Sequence, residues 1–439
     1  MAHSHGKMGI WMTSALVVGT VIGSAIFMLP VSLAPLGVNS LLGWIVSGIG
    51  AVCMAFGLAR VSRFGGDGIQ ANIEREFGPT IGFLVAWAFW ASNWVAQASV
   101  AIAVGSTLSF VAPQLAAGHV VTIAIASVVV LTAINANGVR AAGGLSIVTV
   151  MIKVLPLLAV VWLFGQRGVG GGPYEPLAPA QVNWSNLGTA TALTFFAMTG
   201  FENATAPVCK IRDAERTLSR ALIGGTALSA VIFLIAGTSI QMLLPAHVVA
   251  ASPAPFADAI ASSWGRGAAM LAAFAITISA IGCLNGLILG TGELGYSMAL
   301  RGDLPAVIAR TRGTNTPVIS QMLGSGLTIL LLLANSSRGT ASLYTFVVLL
   351  STAGVIVLYF VGALAAWKST ATLGGRAIIL VALLFSVFAL YGTGLEADLW
   401  CLVLLAAGLA IRTVTRRLSS RSPIGSSQPL AAIPAVLPE

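Results

Sequence analysis

From about residue 10 to residue 413 the chain is a succession of apolar runs, at about 10–35, 40–60, 80–111, 119–136, 145–165, 187–208, 221–244, 268–297, 317–335, 342–366, 375–393 and 397–413. Most of them reach the roughly 20 residues that a helix needs to cross a hydrocarbon core about 30 Å thick. Of the 439 residues 57% are apolar and 8% are charged, whereas a soluble domain carries about 25% charge, so this chain lacks the polar surface needed to dissolve. The expectation is an all-α polytopic membrane protein with twelve transmembrane helices, which leaves no length for a separate soluble catalytic domain. Met1 to Lys7 lead into the first run without a small-residue cleavage site, so that run is expected to stay as a span.

The net charge of +9 has to be placed before it is interpreted. With a cytoplasmic N-terminus, twelve spans return the C-terminus to the same side. Arg167, Arg266 and Arg338 then lie outside and Lys153 lies within a span, and the other eighteen of the 22 Lys and Arg residues face the cytoplasm. That asymmetry is the positive-inside pattern of an inner-membrane protein, and it removes the nucleic-acid reading of the charge. Cys53, Cys209, Cys283 and Cys401 form no C-x-x-C pair, which argues against a disulfide framework or a zinc site. His3, His5, His119 and His247 form no H-E-x-x-H, and Gly290-x-Gly292-x-x-Gly295 has dinucleotide-binding spacing but no strand before it. No enzyme, cofactor or metal is expected.

Two runs are interrupted. The first holds Gly19-Thr-Val-Ile-Gly23-Ser24-Ala25-Ile26-Phe27 and then Pro30; the sixth holds Met198-Thr199-Gly200-Phe201-Glu202-Asn203-Ala204 and then Pro207. Taken alone, Gly19-x-x-x-Gly23 reads first as a helix-packing face. A second break five spans later points instead to inverted repeats, in which spans 1–5 match spans 6–10 and the broken helices meet at a midplane site. Half-helix N-termini there favour a carboxylate and freed carbonyls accept from an ammonium, which together suit an α-amino acid. A channel or an amino acid sensor could use similar spans; paired breaks in inverted halves favour alternating access.

Gly23-Ser24-Ala25-Ile26-Phe27-Met28-Leu29-Pro30 closely resembles the span 1 signature of the amino acid-polyamine-organocation transporters. The resemblance continues in Phe77-Gly78-Pro79, Gly200-Phe201-Glu202, the basic loop from Lys210 to Arg216 with Arg220, Asp303-Leu304-Pro305 and Thr316-Pro317, and it covers about residues 8–413. Within that superfamily the chain looks most like the bacterial arginine/agmatine antiporters and other basic amino acid and polyamine antiporters. The resemblance implies a leucine-transporter-type fold: a cytoplasmic N-terminal tail at 1–9, a first repeat (spans 1–5) at 10–165, a second (spans 6–10) at 187–366, spans 11 and 12 at 375–413, and a disordered cytoplasmic tail at 414–439. It also suggests a homodimer.

The same resemblance implies a substrate carboxylate at Ile22, Gly23, Ser24 and Ala25, where the antiporter has Gly in place of Ala25. It implies an amino group near Ala197, Met198 and Gly200, and contacts from Thr20, Gln97 and Ser351. For each lone polar side chain the plain alternative is an interhelical or backbone hydrogen bond. Phe196 stands where the antiporter has a stacking Trp, Phe89 replaces a gating Tyr, and Leu287 lies where a second gating Trp is missing. All three changes weaken attraction for a cationic side chain. Glu202 is expected to link the broken span 6 to its neighbours and, with Phe89, Phe196 and Leu287, to take part in gating. Lys153 and Glu293 are the other charges within spans and are candidates for proton coupling. Lys153 either exchanges a proton during the cycle or stays charged as a tie to span 1 carbonyls; Glu293 reads first as a hydrated pathway residue. The function expected is exchange of amino acids or amines, with proton symport or export of neutral amino acids through Lys153 as the alternative.

Overall fold

A backbone in hydrocarbon must satisfy its own N–H and C=O groups, and this one does so as helices, with no strand among the described residues. The structure is a computed structural model that describes residues 9–62, 68–116, 118–136, 142–205, 211, 213–312 and 316–421. Its helices are α1 (Ile10–Val21), α2 (Ala25–Leu33), α3 (Val38–Val61), α4 (Gly68–Phe77), α5 (Pro79–Val111), α6 (Pro113–Ala116), α7 (Val120–Ala136), α8 (Ala142–Val169), α9 (Trp184–Met198), α10 (Ala214–Leu243), α11 (Ala246–Ala251), α12 (Pro255–Leu300), α13 (Val318–Ala334), α14 (Thr340–Ser369) and α15 (Leu373–Arg421). Among the described residues seven helices are long and apolar enough to cross a membrane, or eight if α1 and α2 form one span bent by 45°. This is a multi-pass membrane protein.

Two of the long helices are broken by glycine. At 49 residues α15 would measure about 74 Å if straight, more than twice the hydrocarbon thickness. Gly394, at φ 81° and ψ 157°, leaves the helical region and splits it into two arms. Gly265 does the same in α12 at φ 79° and ψ 174°. The second arm of α15 runs on to Arg421, so residues 414–421, expected to belong to a disordered tail, are helical. The reason is a tertiary contact: Arg416 bonds Asp303 at 3.0 Å, which holds this turn of the helix against the α12–α13 connection. The rest of that tail, the N-terminal residues 1–8, residues 206–209 with Pro207 and Cys209, and Lys210 and Arg212 of the basic loop lie outside the described residues.

Helix α4 is a short element that hydrophobic run lengths did not single out. It keeps Ile73 buried and carries Glu74, Arg75 and Glu76. Asn72 donates to the Val61 carbonyl at the end of α3, Glu74 pairs with Arg301 and Glu76 with Lys368.

Two packed groups stand out. One sets α3 against α9 and α10, and α1 against α10; the other sets α5 against α12 and α7, and α13 against α12 and α7. Helix α14 touches both, through α5 on one side and α3 and α9 on the other. The seam between the groups is where the breaks in α1–α2 and after α9 fall.

Candidate functional site

The first break is written in its hydrogen bonds. Ile22 still donates to Val18 O, but its own ψ of 84° turns the chain, and Gly23 N then bonds Val21 O at 2.7 Å. A continuing helix would have sent the Gly23 N–H to Gly19 O. That orphaned carbonyl is taken by Lys153 of α8, whose Nζ donates to it at 2.6 Å. A cation at the C-terminal end of a helix also meets the negative pole of its dipole. Beyond the break, Ser24 precedes the first turn of α2; its hydroxyl is fully buried and has no partner among the described residues.

The second break follows Met198. Thr199 is extended, and Gly200 takes φ 112°, a region open to glycine and strained for any other residue. A Cβ on Gly200 would lie 2.6 Å from Thr20 O, so the two breaks meet backbone to backbone and glycine is required at that contact. Glu202 then satisfies what the break frees. Its Oε2 accepts from Gly200 N at 2.9 Å and from Tyr359 Oη of α14 at 2.5 Å. Phe201 stacks on the Tyr359 ring with centroids 5.2 Å apart.

Both breaks face one cavity of about 110 Å³. Of the residues expected from the sequence, it brings together Thr20, Gly23, Ser24, Ala25, Phe89, Phe196, Ala197, Gly200, Glu202, Leu287 and Ser351. Glu202 is the only acidic or basic side chain among the described residues that line it.

Several expected residues are placed elsewhere. Ile22 contributes the turning backbone while its side chain is buried in the core. Met198 points to α3, where Ser47 bonds its sulfur. Gln97 is fully buried and faces α12 and α13: its amide nitrogen donates to Thr291 Oγ1 at 2.8 Å and its oxygen accepts from Thr328. Lys153 acts on the break from behind, through Gly19 O, and does not line the cavity. Glu293 is exposed on α12, away from the cavity.

Other lining residues were not foreseen: Ser92, Asn93, Ala96 and Val100 on α5, Thr199 and Asn203 at the second break, Cys283 on α12 and Val355 on α14. A helical signal for the α5 set was present. Phe89, Ser92, Asn93, Ala96 and Val100 recur at i, i+3, i+4, i+7 and i+11, which is one face of a helix, and Gln97 sits beyond its edge.

A small, largely uncharged cavity with helix ends and unpaired polar groups on one side, and apolar walls with hydroxyl and amide groups on the other, can hold a small polar organic molecule. A family model described as amino acid permease matches residues 8–409. The chain is 25% identical over 416 residues to the putrescine transporter PotE of Haemophilus influenzae, covering 91% of this chain and 95% of the relative. It is 26% identical over 412 residues to the Escherichia coli PotE, covering 90% and 92%, and 27% identical over 353 residues to the Escherichia coli cadaverine/lysine antiporter, covering 76% and 77%.

Proposed function

Because the chain belongs to the amino acid permease family, within the amino acid-polyamine-organocation superfamily, we propose that it is an inner-membrane secondary transporter that exchanges amino acids or amines by alternating access. The observation that carries this reading is the convergence of two broken helices on one cavity between two packed helix groups. Rocking of the α1–α3–α9–α10 group against the α5–α7–α12–α13 group would open that cavity to one side and then to the other. The first turn of α2 and the unpartnered Ser24 hydroxyl offer donors to a carboxylate, and Phe89, Phe196 and Leu287 supply apolar walls that close over a bound molecule.

Twelve spans in two inverted sets of five, followed by two more, account for the helices. The α1–α2 pair and the broken α9 segment are spans 1 and 6, α7 and α13 at 17 residues reach about 26 Å, and the arms of α15 are spans 11 and 12. Both termini are then cytoplasmic, and a homodimer in the membrane is part of the proposal. The putrescine and cadaverine/lysine relatives support amines or basic amino acids as cargo, with arginine and agmatine as one pair to be tried.

A second reading rests on Lys153. Its bond to Gly19 O couples a titratable group to the first break, and a proton symporter of neutral amino acids could drive the rocking by making and breaking that bond. Uptake into proteoliposomes separates the two. Exchange requires internal substrate and persists without a proton gradient. Symport runs into empty vesicles, follows the gradient, and stops in Lys153→Ala. Failure of every amino acid and amine to accumulate in either format would reject transport itself.

A further inference from the structure

We propose that Asn93 selects the far end of the transported molecule, and that it selects a hydrogen-bond donor there, a terminal ammonium in preference to a methyl group. This rests on the transport reading above and deepens it.

The cavity has two chemically different ends. The breaks of α1–α2 and α9 form one, where Cys283 Sγ would lie 3.7 Å from a Cβ on Gly23; α5, α12 and α14 form the other, with Ser92, Asn93 and Ser351 set among Phe89, Ala96, Val100, Leu287 and Val355. All but one of the hydrogens of the polar groups at the second end can be accounted for, the second Asn93 amide hydrogen being left over. Ser351 Oγ donates to Ser92 O at 2.9 Å, and the two hydroxyl oxygens are 3.2 Å apart, so the Ser92 hydrogen goes to Ser351 Oγ. Asn93 Nδ2 donates to Phe89 O at 2.7 Å. A carbonyl only accepts, so the amide nitrogen must be the atom facing it, which fixes the orientation of the group. Asn93 Oδ1 is thereby left on a partly exposed lining residue with no partner among the described residues.

Both hydroxyl hydrogens and one amide hydrogen are therefore spent within the protein. What remains open is mostly acceptor capacity, at Asn93 Oδ1 and Ser92 Oγ. A methyl group arriving there would strip water from Oδ1 and give nothing back, whereas an ammonium donates to it. Sites built to hydrogen-bond one group reject the analogue that lacks it, here by about ten- to a hundredfold. Among the described residues no carboxylate lies at this end, so the cargo is recognised by neutral acceptors and is not held by a fixed counter-charge that would slow its release.

The test uses the full chain in proteoliposomes and two matched pairs of molecules: lysine with 2-aminoheptanoate, and cadaverine with hexylamine. Each pair differs at its far end by an ammonium against a methyl group. Competition against the labelled amine or amino acid that the wild type takes up gives relative affinities. The wild type is expected to prefer the ammonium member of each pair by about ten- to a hundredfold. Asn93→Leu, which keeps the volume and removes the acceptor, should bring both ratios to within about threefold, and Asn93→Asp should retain or increase them. Wild-type ratios near one, or ratios unchanged in Asn93→Leu while uptake of a labelled substrate persists, would overturn the Asn93 assignment and leave the transport reading standing. If Asn93→Leu does not fold, Asn93→Asp decides: a ratio that falls below wild type overturns the assignment. If the wild type neither binds nor takes up any of the four molecules, the transport reading for this cargo falls, and the assignment with it.

Discussion

At the scale of single residues, the site depends on backbone groups that one side chain each keeps in place. Gly200 combines a φ of 112° with a contact that puts a would-be Cβ 2.6 Å from Thr20 O. Gly200→Ala should therefore cost about 1–2 kcal/mol in backbone strain and push the two breaks apart. The expected outcome is a protein that still inserts but transports at under about a tenth of the wild-type rate, a loss equivalent to about 1.4 kcal/mol in the barrier, checked by uptake alongside thermal unfolding in detergent. Lys153 is the cap of an orphaned carbonyl. Lys153→Met should lower unfolding stability by about 1.5–3 kcal/mol, the usual worth of a hydrogen bond to a charged group; an unchanged melting curve would show that Gly19 O finds another partner. Both breaks were legible in the sequence, because glycine and small polar residues in mid-span have few other uses. Asn93 was not singled out. A polar residue on a largely apolar helix reports that it faces protein; helical spacing separates Asn93 from Gln97, and the packed neighbours then turn the first to the cavity and the second to Thr291 and Thr328.

At the scale of elements, the arm of α15 beyond Gly394 is locked at its C-terminal end by a cluster drawn from three distant segments. Arg412 Nε bonds Asp303 Oδ1 at 2.7 Å, its guanidinium also reaches Pro79 O at 2.8 Å, and it stacks over Phe83 at 5.0 Å. Both charged partners are buried, at 4% and 7% side-chain exposure, whereas Arg416 is 49% exposed. Removing one member of a buried pair strands the other, so Asp303→Asn should destabilise by about 3–5 kcal/mol. Arg416→Ala should cost no more than about 1 kcal/mol, because solvent screens its pairing. Thermal unfolding of the two variants side by side checks the contrast, and equal effects would contradict it. Pro79, Asp303 and the end of the last apolar run are far apart in sequence, and the two motifs that hold Pro79 and Asp303 could be recognised there without any indication that they touch. The same contacts explain why the helix continues past the point where its apolar pattern ends.

At the scale of the whole molecule, the alternating-access reading requires α2 and α14 to change their relation. Ser32 Oγ and Thr345 Oγ1 lie 2.7 Å apart, at the edge of a second cavity of about 400 Å³ that also holds the Arg338–Glu396 ion pair. Hydroxyls this close leave room for a disulfide, whose Cβ atoms sit about 3.8 Å apart. Ser32→Cys with Thr345→Cys, in a background where Cys53, Cys209, Cys283 and Cys401 are replaced by Ala, should lose uptake on oxidation and recover it on reduction. Undiminished uptake by the oxidised protein would mean that this contact does not open during transport. By itself the sequence determined the solvent, the helical class, the places where helices break and the family, because hydropathy, glycine placement and short motifs are local properties and the bilayer leaves few alternatives for a backbone. Tertiary structure alone decided which polar side chains face the cavity, which backbone atoms Lys153 and Glu202 take up, and how far the last helix extends. Each of those depends on a partner that is distant in sequence, and the pattern around a residue carries no record of what the fold brings against it.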